Sequence, residues 1–135
     1  MIDRLVISQE QYRFMREHVE AERPLEACGL IAGINDQAQK VVSISNILRS
    51  PVRFRMQPQE QIEAFTTFEA QEWELLAIYH SHPNGPGFPS PTDLAEAYYP
   101  EALSLIWSRL TGEWTCRAFR LVDGGYQEVT VVVRG

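Results

Sequence analysis

ELLAIYHSHPNGPGFPSPTD, residues 74–93, runs as an apolar strand into two histidines and then breaks into a loop dense in proline and glycine. Its first nine residues read as a strand buried over most of its length. Alternate side chains of a strand face the same way, so His80 and His82 present both imidazoles in one direction. Two neutral imidazoles plus a carboxylate, with water in the fourth position, make the ligand set of a catalytic zinc. Asp93 can supply that carboxylate if the loop folds back, and Pro83, Gly85, Pro86, Gly87 and Pro89 stiffen the turn that would hold it there. A ligand held in place beforehand loses less entropy when the metal arrives. Taken alone, a His-x-His pair is a weak signal. Ser90-Pro91-Thr92-Asp93 also has a plain structural reading, as a serine N-cap, a proline at the first helical position and an acidic residue three after the cap. The two readings are compatible, because groups anchored at a helix start are held rigidly.

Working outward, RLVIS (4–8) reads as a short strand, and Ser8 with Gln11 as a capping box for a helix carrying Tyr12, Met15 and Val19. LEACGLIAG (25–33) reads as a buried strand entered through a turn at Pro24. KVVSISNIL (40–48) and VRFRM (52–56) read as strands. Pro58 opens a second helix with Ile62, Phe65 and Phe68 along one face. A short helix is expected from Ser90. ALSLIWS (102–108), WTCRAFRLV (114–122) and YQEVTVVV (126–133) read as strands, the last two joined across Asp123-Gly124-Gly125. TVVV (130–133) fits either an edge strand able to pair with a second copy or an internal one. Strands interleaved with helices imply an α/β fold, a mixed β-sheet flanked by helices.

The chain has 135 residues, 44% hydrophobic and 22% charged, which suits one domain (1–135) with a core of its own. A formal charge of −6 with no Lys/Arg cluster argues against a nucleic-acid binder. No apolar stretch is long enough for a membrane span, and MIDRLVISQEQYRF lacks the pattern of a signal peptide. The expectation is therefore a cytoplasmic protein with Cys28 and Cys116 as free thiols.

A zinc hydrolase also needs a carboxylate that takes a proton from water and delivers it to the leaving group without ligating the metal. Glu26 stands directly before a glycine-containing apolar strand, where partial burial would raise its pKa towards the range of a general base. A turn or edge role is its bland alternative.

Glu26, then His80-Ser81-His82-Pro83, then Ser90-x-x-Asp93 together resemble the JAMM motif of MPN-domain zinc metalloproteases. The PLEACGL context of Glu26 and the RFRMQPQEQ segment resemble the family's neighbouring blocks, and the likeness spans roughly residues 1–122. The resemblance implies an α/β fold of the deaminase-like kind and Zn²⁺ held by His80, His82 and Asp93. It implies Glu26 as general base and then acid, and Ser90 as hydrogen-bond donor to the oxyanion. Strand alternation turns Ser81 away from the histidines, towards a structural role. Cys28 reads as a small buried hydrophobe.

Members of that family cut amide or isopeptide bonds after the C-terminal glycine of ubiquitin-like proteins. So short a chain is similar to the compact prokaryotic members, some of which process sulfur carriers, and the expected partner is a ubiquitin-like or sulfur-carrier protein with a glycine tail. Two alternatives stand beside it: a non-catalytic scaffold of the same fold, and a general zinc peptidase on short peptides. A zinc deaminase would need His-x-Glu followed by Pro-Cys-x-x-Cys, which this sequence lacks.

Overall fold

The computed structural model describes residues 2–135. In chain order the elements are β1 (Arg4–Ser8), α1 (Gln9–Glu22), β2 (Cys28–Ile34), β3 (Gln37–Ile44), α2 (Pro58–Ala70), β4 (Glu74–His82), α3 (Pro91–Ala95), β5 (Leu103–Leu110), β6 (Glu113–Val122) and β7 (Gly125–Arg134). Ser8 and Gln11 close a reciprocal capping box at the start of α1, so the chain turns from β1 into the helix with its first amides satisfied.

The strands order as β1-β3-β2-β4-β5-β6-β7, and β1 also pairs with β7, which closes the sheet on itself. β4–β5 and the two pairings of β1 are parallel, and the remaining pairings are antiparallel. The sheet is therefore mixed, as its alternation of strands and helices implies. Thr130–Val133 pair with β1 on one flank, while the β6 pairing ends at Val129, so β7 lies within the closed sheet and this stretch has one partner strand.

Alternation along β4 and β5 sorts the core into two layers. Ala77, Tyr79, Leu103, Leu105 and Trp107 pack with Met15 and Val19 of α1. On the other side Cys28, Leu30 and Ile44 pack with Ala64 and Phe68 of α2. His80 and His82 alternate with Tyr79 and Ser81, so they emerge on the α2 side.

Two expectations are corrected. Residues 52–56 form no strand, and β3 ends at Ile44. The side chain of Asn46 takes the hydrogen bonds that a strand partner would have made. Its Oδ1 accepts from the amides of Leu48 and Arg55, and its Nδ2 donates to the carbonyls of Glu26 and Arg53. Only a single bridge, Asn46 to Met56, is strand-like. Ile62 is 58% exposed. It sits two residues, about 200°, around the helix from Ala64, so α2 buries Ala64 and Phe68 instead. Among the described residues no helix is long and apolar enough to cross a membrane.

Gly29 of β2 faces Tyr79 of β4 across the ladder, and a β-carbon there would lie 2.1 Å from the Tyr79 ring and 2.4 Å from Val42 O. Tyr79 is fully buried, with its hydroxyl 2.7 Å from His18 Nδ1, so the ring has no open side to retreat into. Gly29→Ala should lower stability by about 1–3 kcal/mol or more through overpacking. Urea denaturation reads this directly, and an unchanged midpoint would mean that the ladder relaxes freely.

Candidate metal centre

His80 and His82 end β4, and both are almost fully buried. Asp93 arrives from α3, whose N-cap is Ser90. Ser90 Oγ accepts from the Asp93 amide at 3.0 Å, and Asp93 Oδ2 accepts from the Ser90 amide at 2.9 Å. The capping box predicted for this turn is therefore present, and the same carboxylate oxygen faces the histidines. Asp93 Oδ2 lies 3.1 Å from His80 Nε2 and 3.0 Å from His82 Nε2, and the two Nε2 atoms are 3.2 Å apart.

Three lone-pair-bearing atoms so close repel one another unless something positive lies between them. A proton is one answer and a divalent cation is another. For zinc with bonds of ~2.0–2.1 Å, tetrahedral angles separate neighbouring ligand atoms by about 3.3 Å, close to the spacing found here. The donor set, two imidazole nitrogens and one carboxylate oxygen, has the chemistry zinc takes, and the residues fit the ion. His82 Nδ1 donates to Pro86 O at 2.7 Å, which fixes the tautomer that leaves Nε2 free as a ligand. Phe54 stacks on His80, 4.8 Å between centroids at 27°.

Glu26 precedes β2, and the ladder carries it to the site. Cys28 pairs with His80, and the Ser81 amide donates to Ala27 O at 3.1 Å. Continuing that register one step sets Glu26 opposite His82. Its backbone is held at both ends, its amide donating to Ser50 O and its carbonyl accepting from Asn46. The Glu26 side chain is buried, and its Oε1 has no hydrogen-bond partner. Burial pushes this carboxyl up to about 8, with nearby His82 pulling it down and Asp93 adding to the rise. Burial alone would also raise Asp93, but when a proton rather than a cation lies between the rings, hydrogen bonding with His80 and His82, together with the Ser90 amide, outweighs it and holds that carboxylate ionised far below its usual range.

Ser81 turns away from the imidazoles, and its Oγ accepts from the Ala27 amide at 2.8 Å, tying β4 to the approach of β2. Cys28 lies beside His80 in the ladder, but its Sγ–H donates to Ile44 O and burial pushes the thiol up to about 12. It is inert as a nucleophile at neutral pH. A cleft of about 250 Å³ opens beside His80 and Asp93, with Arg53, Phe54, Tyr98 and Tyr99 in its walls. Arg53 grips Glu96, just past the end of α3, at 2.8 and 3.3 Å.

Three supports of the site escape a reading of motifs. The Pro86 carbonyl is a backbone atom with no residue-type signature. Phe54 belongs to a segment that alternates like a strand. Asn46 leaves a faint trace, a polar residue that interrupts an apolar run just before Ser50-Pro51.

The chain matches the model of prokaryotic homologs of the JAB domain over residues 8–122. It is 33% identical to the CysO-cysteine peptidase of Mycobacterium tuberculosis over 132 residues, 96% of this chain and 90% of that protein. It is also 33% identical to a desampylase of Haloferax volcanii, covering 78% of this chain and 81% of that one. A solution structure of a Desulfitobacterium hafniense protein superimposes with a TM-score of 0.85 at 30% identity, covering 96% of this chain and 92% of the other.

The raised Glu26 carboxyl makes a measurable demand on folding. Between its ordinary 4.5 and its folded value of about 8, the folded chain keeps a proton that the unfolded chain has lost. Its contribution therefore weakens as pH rises, by up to about 1.4 kcal/mol per pH unit in that window. In chelator-treated protein, Glu26→Gln should raise the melting temperature relative to the parent, and the gap should widen from pH 5 to pH 8. A gap independent of pH would place the proton elsewhere.

Proposed function

The chain belongs to the family of prokaryotic homologs of the JAB domain, and on that premise we propose that it is a zinc-dependent peptidase acting after the C-terminal glycine of a ubiquitin-like, sulfur-carrier type protein. The observation that carries this reading is the convergence of His80, His82 and Asp93 ligand atoms beside a buried, unpartnered Glu26 carboxyl. The relatives named as a CysO-cysteine peptidase and a desampylase support the substrate class. Residues 1–135 act as one such domain, which the pairing of β1 with β7 supports.

His80 Nε2, His82 Nε2 and an Asp93 oxygen would hold the ion. Bound there, zinc supplies Lewis acidity: it lowers the pKa of a water and polarises a carbonyl. Glu26 Oε1 accepts the proton of the attacking water and passes it to the nitrogen of the departing amine. Its burial matters here, because a carboxylate at the usual pKa would hold that proton too weakly to carry it across. Ser90 Oγ spends its lone pair on the Asp93 amide, so its hydroxyl proton remains available to the oxyanion. The cleft beside His80 takes the slim glycine tail. Phe54 and the tyrosines at its walls exclude water from the tail's backbone, which strengthens each polar contact made inside.

Glu26→Gln should abolish turnover and retain zinc; loss of metal along with activity would contradict the base assignment. His80→Ala, His82→Ala and Asp93→Ala should each weaken zinc binding, and full affinity in Asp93→Ala would leave that residue as a helix cap only. Ser90→Ala should lower kcat by roughly 10²-fold with the metal kept, the usual cost of one lost oxyanion donor. The substrate class is tested by incubating the protein with a panel of ubiquitin-like carriers bearing C-terminal extensions, with and without chelator, and measuring intact mass. A metal-dependent loss of the extension after glycine is expected. Equal cleavage of unrelated peptides would favour a general peptidase, and freshly purified protein with almost no zinc would favour a scaffold.

A further inference from the structure

The loop that serves His82 is itself held from outside the metal centre. His82 Nδ1 donates to Pro86 O, and the next carbonyl, Gly87 O, accepts from Arg117 Nη1 at 3.1 Å. Arg117 lies on β6 opposite Ile106 of β5. Its Nε and Nη2 both grip the Glu128 carboxylate of β7, at 3.1 and 2.9 Å. The guanidinium also sits over the Phe119 ring, 5.2 Å from the centroid. One residue further along the loop, Phe88 stacks on Tyr126 of β7 at 6.2 Å and 19°.

Gly87 gives an independent sign that this contact is close. A β-carbon there would lie 3.0 Å from Ser108 Oγ and 3.4 Å from Arg117 Nη1. Ser108 is the β5 neighbour of His82, so the loop backbone is drawn in against the strand beside the ligand. A solvated ion pair contributes little to stability, and Arg117 and Glu128 are each about half exposed. Their geometry serves direction instead. The guanidinium is a rigid planar fork; with its Nε and Nη2 edge locked on Glu128, Nη1 is turned towards one carbonyl, Gly87 O.

We infer that Arg117, locked by Glu128, is a positioning residue for the metal centre. It pins the loop at Gly87 O and so holds Pro86 O where it receives the His82 Nδ1 proton, leaving His82 Nε2 bare towards a cation. The part of this that concerns the cation rests on the metal reading above; the part that concerns the His82 proton does not.

The test uses the full chain with Arg117→Ala, Arg117→Lys, Gly87→Ala and the Arg117→Ala/Gly87→Ala double variant. Two quantities are read: hydrogen exchange of the His82 Nδ1–H by NMR in chelator-treated protein, and affinity for zinc ion by competition. Melting of the metal-free protein reports on the fold. Arg117→Ala should speed the exchange and weaken zinc roughly three- to tenfold, at or below the low end for a ligand's direct partner because it acts one residue further out. The melt should barely move. Arg117→Lys should restore part of both effects, since lysine can donate to Gly87 O. Gly87→Ala should reproduce the loss, and the double variant should fall short of the sum of the two, as expected for changes at one contact. If Arg117→Ala unfolds, Arg117→Lys and Gly87→Ala decide. Wild-type exchange and wild-type zinc affinity in folded variants would overturn the inference. A parent protein that binds no zinc would instead sink the metal reading, while the exchange rate would still judge the loop.

Discussion

The antiparallel ladder between β2 and β4 is the constraint on which the rest depends. Gly29, having no β-carbon, leaves the space beside the ladder that the Tyr79 ring fills. The ladder then delivers Glu26 to the end of β4 where the histidines stand. No hydrogen bond holds the Glu26 side chain at Oε1; its place comes from the backbone, through Ser50 O, Asn46 and the Ala27–Ser81 pair. A slip of one residue would turn Glu26 to the opposite face and remove it from the site entirely. The chemistry is thus specified by strand register more than by any contact among the reactive groups.

The same region concentrates unfavourable terms. A buried carboxyl held protonated to about pH 8, a second carboxylate and two imidazoles lie under apolar cover. Burial of each group costs free energy that only a partner can offset. A cation placed among Asp93, His80 and His82 would supply that partner for three of them at once. Folding and metal capture are then linked, and the stiff loop limits how far the site can spread without an ion.

Much of this was readable from residue order. The β4 strand, the capping boxes at Ser8 and Ser90 and the α1 face at Met15 and Val19 follow from alternation, helical spacing and side-chain chemistry that act locally. VRFRM misleads because its alternation imitates a strand, while a single amide side chain, Asn46, absorbs the backbone groups a partner strand would need. Ile62 misleads because hydrophobic identity says nothing of helical phase once Pro58 has set where the helix starts. At the site, His80, His82, Asp93 and Glu26 stand out by residue type. Pro86 O and Arg117 do not: one is a carbonyl among many, and the other is one of two arginines on β6 with no motif around it. What they do depends on a fold-level meeting between a loop and a distant hairpin.

Closing the sheet through β1 and β7 has a consequence for how the chain comes into being. Arg4 pairs with Thr130 and Ser8 with Arg134, so every other element described separates these partners along the chain. On the ribosome, β1 must wait for β7 before its long flank is covered, held meanwhile by α1 and one bridge to β3. The β2–β4 ladder needs nothing beyond His82 and can assemble well before then. Synthesis therefore brings Glu26, His80 and His82 together first and seals the seam last, and the slow, entropically costly pairing of β1 with β7 falls on strands that hold neither histidine nor either site carboxylate.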